Sequence, residues 1–124
     1  METRLIIANF PSDKLDDVER RLQDIGVERI NVLKVKGFGE YHDTCGRTWL
    51  TDEVRVEIFT RKDEVSAVTA AIMQAAHTGV PGDGVVAVLP IEALYLIRTR
   101  AEATPESFWP RASASGIPAD QGTV

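Results

Sequence analysis

Apolar positions along this chain change period several times. Thr3–Ala8 (TRLIIA) is a short apolar run, the pattern of a buried strand. Asn9–Asp13 (NFPSD) reads as a turn, with Ser12 placed to cap the next element. Leu15, Val18, Leu22 and Ile25 then recur at helical spacing with charges between them, and Gly26 is placed to end that helix. Arg29–Lys36 reads as a strand, with Asn31, Leu33 and Val35 on one face. Residues 37–52 (GFGEYHDTCGRTWLTD) show no period, and a polar connection that long is usually functional or disordered. In Val54–Thr60, Val54, Val56 and Ile58 face one way, and Arg55, Glu57 and Phe59 the other. Val65, Val68, Ile72, Ala75 and Ala76 mark a second helix, with Asp63 as its cap and Gly79 as its stop. Val85–Leu89 (VVAVL) and Leu94–Thr99 (LYLIRT) predict two further strands. From Ala101 the chain turns rich in Pro, Ser, Ala and Gly, and residues 101–124 read as a mobile tail in which Phe108 and Trp109 are the groups able to dock locally.

The element order is β-α-β, long loop, β-α-β. It predicts an α+β, ferredoxin-like double unit over residues 1–100: an antiparallel sheet with both helices on one face. The other sheet face is then partly apolar, with Leu33, Val35 and Phe59 exposed on it. A homo-oligomer is the usual cover for such a face.

Composition narrows the function classes. The chain has 124 residues, 44% of them apolar, enough for one domain with a proper core. Lys plus Arg is 14 and Asp plus Glu is 19, a net charge of −5, which disfavours general nucleic-acid binding. Cys45 is the single cysteine, so there is no internal disulfide and no Cys/His metal spacing. The apolar run LIIA near Met1 is too short for a signal peptide, and no run is long enough to span a bilayer. The expectation is a cytoplasmic protein without a metal.

The chemistry-bearing stretch is HTGVPGDGV at His77–Val85. Its glycines come after a helix and before a strand, the reverse of a dinucleotide-binding fingerprint, and no Gly-Lys-Ser/Thr comes next. Two readings stay open on local physics. Glycines let backbone amides converge on an anion. Equally, Gly79 can end the helix while Gly82-Asp83-Gly84 turns the chain into the next strand.

Five stretches, in order, bear on that choice. TGVPGDG resembles the T-G-x-x-G-D-G signature of the PII signal-transduction family. KLDDV at Lys14–Val18, VKGFGE at Val35–Glu40, VRVEIF at Val54–Phe59 and LIRT at Leu96–Thr99 are similar to further family segments. The resemblance covers roughly residues 3–100, with a shortened central loop. It implies a homotrimer binding adenine nucleotides between subunits and reporting them to a protein partner through a T-loop, here 40–52. On this reading Thr78, Gly79, Gly82, Asp83, Gly84 and Val85 surround the phosphates. Gly37, Phe38 and Gly39 lie at the root of the loop, Ile58 and Phe59 flank the adenine, and Asn31 lies near the base. Glu57 takes a site role or pairs with Arg55. Arg98 meets phosphate from a neighbouring subunit, and a guanidinium fork suits that task.

Departures from the family pattern refine the expectation. Val85 replaces a lysine and Leu96 an arginine, while Arg100 replaces a glycine and, on the resemblance, joins the nucleotide-binding residues to compensate in part for the lost charge. The loss of charge implies ADP or AMP bound at least as well as ATP. Tyr41 stands where a glutamine helps hold 2-oxoglutarate with Mg-ATP, and the modifiable tyrosine motif is absent. The short loop is similar to PII-like proteins linked to bicarbonate transport or carboxysomes, which implies bicarbonate as a second ligand near Glu40, Tyr41, His42 and Arg47. The regulated partner would then be a transporter or a carboxysome-associated enzyme. The alternatives are a nitrogen-regulatory PII-type protein sensing ATP and 2-oxoglutarate, and a small ferredoxin-like hydrolase. No catalytic nucleophile–base pair is visible, so the expectation is a sensor and not an enzyme.

Overall fold

The computed structural model describes residues 2–37 and 51–107. The β-α-β, β-α-β order holds. Strand β1 is Thr3–Pro11, helix α1 Leu15–Asp24, β2 Asn31–Gly37, β3 Thr51–Arg61, α2 Val65–Ala76 and β4 Val85–Ile91. These strands form one antiparallel sheet in the order β2-β3-β1-β4. Both βαβ units thus interleave, with β1 and β3 in the middle.

Period-two alternation divides the sheet. Ile6, Ala8 and Phe10 of β1 and Val54, Val56 and Ile58 of β3 point to the helix side and are at most 1% exposed. They pack with Val18 and Leu22 of α1, Val68, Ala71, Ile72 and Ala76 of α2, and Val27. Each Val, Leu, Ile or Phe side chain among them contributes about 1.5–3 kcal/mol when fully buried. On the opposite face Leu33 is 44% and Phe59 36% exposed, and Leu89 of β4 joins them at 38%. The uncovered apolar face is therefore where the alternation placed it.

Four local expectations are corrected. The chain does not turn at Asn9: β1 runs to Pro11, and Phe10 is a core residue. Pro11 is tolerated because it is the last strand residue and pairs only with Glu53, on β3. Neither Ser12 nor Asp63 caps a helix with its side chain. Both helices enter instead through a 3-10 turn, Ser12–Lys14 and Lys62–Glu64. Asp63 and Glu64 are held by Arg61, whose guanidinium is 3.2 and 2.8 Å from their carboxylates. Gly26 does end α1 with φ 94°, while α2 stops at Ala76, before Gly79.

The fourth correction concerns the C-terminal part. Leu94–Thr99 is not a strand of the sheet. Only Tyr95–Leu96 is extended, as β5, and it pairs with Ala101–Glu102, β6, in a small hairpin. The hairpin closes through Arg100 N–H to Leu96 O and Ala103 N–H to Leu94 O, both 2.8 Å. Ala103 is 9% exposed and Pro105–Ser107 forms another 3-10 turn, so ordered packing crosses the 100/101 boundary set for the tail. Strand β3 likewise begins at Thr51, inside the expected 40–52 loop.

Candidate functional site

The glycine stretch builds one closed loop. After Ala76 the chain turns extended at His77 (ψ 131°), and Gly79, Gly82 and Gly84 take φ of 88°, 101° and 109°. That backbone is strained for any residue carrying a Cβ. A side chain at Gly84 meets a second obstacle, since its Cβ would lie 1.9 Å from Asn9 O. The loop is thereby fastened to β1, a central strand.

Asp83 organises the loop from within. Its Oδ2 accepts the Thr78 and Gly79 amides, each at 2.9 Å, and its Oδ1 accepts the Thr78 hydroxyl. Thr78 Oγ1 in turn accepts the Val80 amide at 3.3 Å, and His77 Nδ1 lies 3.7 Å from Asp83 Oδ2. The Thr78 hydroxyl first, then the two amides, hold the Asp83 carboxyl down to about 2 from its ordinary 3.8. The sequence pattern grouped Asp83 with the anion-receiving residues. The structure turns its carboxylate inward, where it is itself the anion that these amides receive.

The other expected site residues divide by face and edge. Asn31 and Glu57 are cross-strand partners in the β2–β3 register, and Phe59 lies one step along the same open face. Ile58 does not join them: its side chain is in the core at 1% exposure, because neighbours along a strand point to opposite faces. Glu57 does not pair with Arg55 either. Arg55 Nε donates to Asn9 Oδ1 at 3.1 Å across the open face. Gly37 ends β2 at the same end of the sheet as the glycine loop. Val85 opens β4 and is 67% exposed. Arg98 lies exposed in the hairpin turn, and Arg100 holds a left-handed backbone with φ 58°, which accounts for a glycine preference there. Phe38, Gly39, Glu40, Tyr41, His42, Cys45, Arg47, Phe108 and Trp109 lie outside the described residues.

One element at the loop root was not foreseen. Lys36 and Asp52, paired in register, form a salt bridge across the ends of β2 and β3, and Lys36 lowers the Asp52 carboxyl. The period-two reading of both strands carried that signal in principle, but the register could not be read from it.

The edges matter for assembly. Asn31 is on edge strand β2, and the glycine loop feeds β4, the opposite edge. Three strand spacings separate them, about 14 Å. Among the described residues no group of three or more His, Cys, Asp or Glu could hold a metal, and no helix is long and apolar enough to cross a membrane.

Comparison with known proteins bears on this geometry. The family model for nitrogen regulatory protein P-II matches residues 3–101. A nitrogen regulatory protein P-II of Azospirillum brasilense is 37% identical over 93 residues, covering 69% of this chain and 83% of that protein. Nitrogen regulatory protein GlnK2 of Haloferax mediterranei is 33% identical over 103 residues, covering 77% and 84%. Among solved structures, Arabidopsis thaliana PII bound to citrate superposes with a TM-score of 0.71 at 29% identity, covering 82% of this chain and 89% of that one.

Proposed function

Because the chain belongs to the nitrogen regulatory P-II family, we propose that it is a homotrimeric sensor whose intersubunit clefts bind adenine nucleotides, ADP or AMP at least as well as ATP. The observation that carries this reading is the closed Thr78–Gly84 loop. Its three glycines hold positive φ, and its amides already converge on an oxyanion. Since the Thr78, Gly79 and Val80 amides are engaged inside the loop, the reading puts the phosphates against the Asp83–Val85 arm.

The opposite-edge placement supports a site made by two copies. The loop of one copy would supply the phosphate cradle. The Asn31, Glu57 and Phe59 face of the next, with Arg98, would supply the base side and a phosphate donor. Burial of Leu33, Phe59 and Leu89 between copies would drive that assembly. The plant relative that holds citrate supports an anion-binding role for this fold. Membership in a regulatory family weighs against the small-hydrolase reading.

The shortened 40–52 segment and the loss of positive charge at Val85 and Leu96 favour inorganic carbon, with bicarbonate beside the nucleotide phosphates and a transporter or carboxysome-associated enzyme as the regulated partner. The names of the relatives favour nitrogen, with ATP and 2-oxoglutarate as ligands. Calorimetric titration separates the two. ADP binding that tightens with bicarbonate supports the carbon reading. Saturable 2-oxoglutarate binding with Mg-ATP, and indifference to bicarbonate, replaces it with the nitrogen reading. No binding of ADP, AMP or ATP removes the sensor proposal.

A further inference from the structure

The Thr78–Gly84 loop contains a charge that runs against its proposed ligand. A carboxylate sits inside the loop whose leaving arm is proposed to meet phosphate, and like charges repel. We propose that Asp83 is a positioning residue: its carboxylate cross-links the entering and leaving arms of the loop, and its geometry rather than its charge is what the ligand site uses. This rests on the nucleotide reading of the same loop.

Connectivity carries the inference. The entering arm is His77–Val80, and four of its polar groups converge on the Asp83–Thr78 pair. Two amides reach Oδ2, the Thr78 hydroxyl reaches Oδ1, and the Val80 amide reaches the Thr78 oxygen. The leaving arm is anchored next door, where Gly84 abuts Asn9 O on β1. Asp83 is therefore the junction between a free-standing turn and the rigid sheet. A carboxamide can replace it. Its oxygen accepts both amides, and its NH2 donates to Thr78 Oγ1, which has acceptor capacity. A methyl group replaces none of these contacts. Asparagine thus keeps the shape and removes the opposing charge, whereas alanine removes both.

The test uses the full-length chain, its Asp83→Asn and Asp83→Ala variants, ADP calorimetry and amide hydrogen exchange. In the wild type the Thr78 and Gly79 amides should be protected. Asp83→Ala should lose at least about tenfold of that protection and about tenfold in ADP affinity. Asp83→Asn should keep the protection and bind ADP as tightly or more tightly. Unchanged Thr78 and Gly79 protection in Asp83→Ala overturns the clamp. An Asp83→Asn chain that loses as much ADP affinity as Asp83→Ala overturns the assignment to geometry. If the wild type binds no ADP, the nucleotide reading fails, and the exchange data still decide the clamp by themselves.

Discussion

Gly84→Ala isolates the close approach that fixes the glycine loop to the sheet. The added Cβ would lie 1.9 Å from Asn9 O and 2.9 Å from both Asn9 C and Phe10 Cα. Ordinary contact needs about 1.5 Å more separation from that oxygen. Strand β1 cannot yield, because it is paired along its whole length with β3. The start of β4 must move instead, and the Asn9–Val85 and Ala8–Val86 register pairs are the first to go. Losing one or two backbone hydrogen bonds costs about 0.5–1.5 kcal/mol each. Forcing a Cβ into φ 109° adds about 1–3 kcal/mol. The reduced freedom of the unfolded chain returns about 0.4–1 kcal/mol. The net loss is roughly 0.5–5.5 kcal/mol, centred on about 3 kcal/mol, a large share of a stability near 5–15 kcal/mol. Gly79→Ala is the internal control. It has a similar φ of 88°, but its Cβ would meet nothing closer than His77 Nε2 at 3.7 Å. Urea unfolding of both variants should show Gly84→Ala less stable than Gly79→Ala by at least about 1 kcal/mol. Equal losses would refute the steric reasoning, since only the dihedral term would then be at work.

The geometry sets four further outcomes. The folded Asp83 carboxyl titrates near 2, below its ordinary 3.8, so its stabilisation is complete above the ordinary value and is lost as pH falls toward 2. The melting-temperature gap between wild type and Asp83→Ala should therefore shrink on acidification from about pH 4 to 2, and a constant gap would contradict the assignment. Arg100→Gly relieves a left-handed backbone worth about 1–2 kcal/mol and gives back about 0.4–1 kcal/mol in unfolded-state freedom, so chemical denaturation should show a gain of up to about 1.6 kcal/mol; a loss would mean that the Arg100 side chain holds the hairpin. Arg98→Ala should weaken ADP binding at least about tenfold while leaving the melting temperature unchanged, because Arg98 is exposed in its turn; unaltered affinity would remove it from the phosphate site. Leu33→Asp should lower the molar mass measured by light scattering to that of one chain while the circular dichroism spectrum is kept; an unchanged mass would take the open face out of the assembly.

Alternation made the core legible, and its limits explain each miss. Ile6, Ala8 and Phe10 continue one period-two row, yet Asn9, Pro11 and Ser12 supply the residue types of a turn. The core won over the turn because Phe10 is worth more buried than a bend there would gain. The same rule separates two of the expected site residues. Ile58 and Phe59 were placed together beside the base, but adjacent strand residues cannot share a face, so only Phe59 remains on the open side. The hairpin of β5 and β6 was hidden for another reason. A strand needs a partner, and nothing in LYLIRT shows that its partner is the next few residues rather than the sheet. Asp83 shows the deepest limit. The glycine spacing reveals where the chain must bend, while the direction of one carboxylate depends on which amides the bend brings within reach. Assembly has the same character. No local pattern says that Asn31 and the glycine loop end on opposite edges; only the order β2-β3-β1-β4 does. Given that order, a ligand needing both groups is met most directly by two copies of the chain, so oligomerisation and ligand binding become one problem. If the proposed trimer forms the site, a substitution on the open sheet face, far from any phosphate, should then weaken nucleotide binding in proportion to the assembly it dissolves.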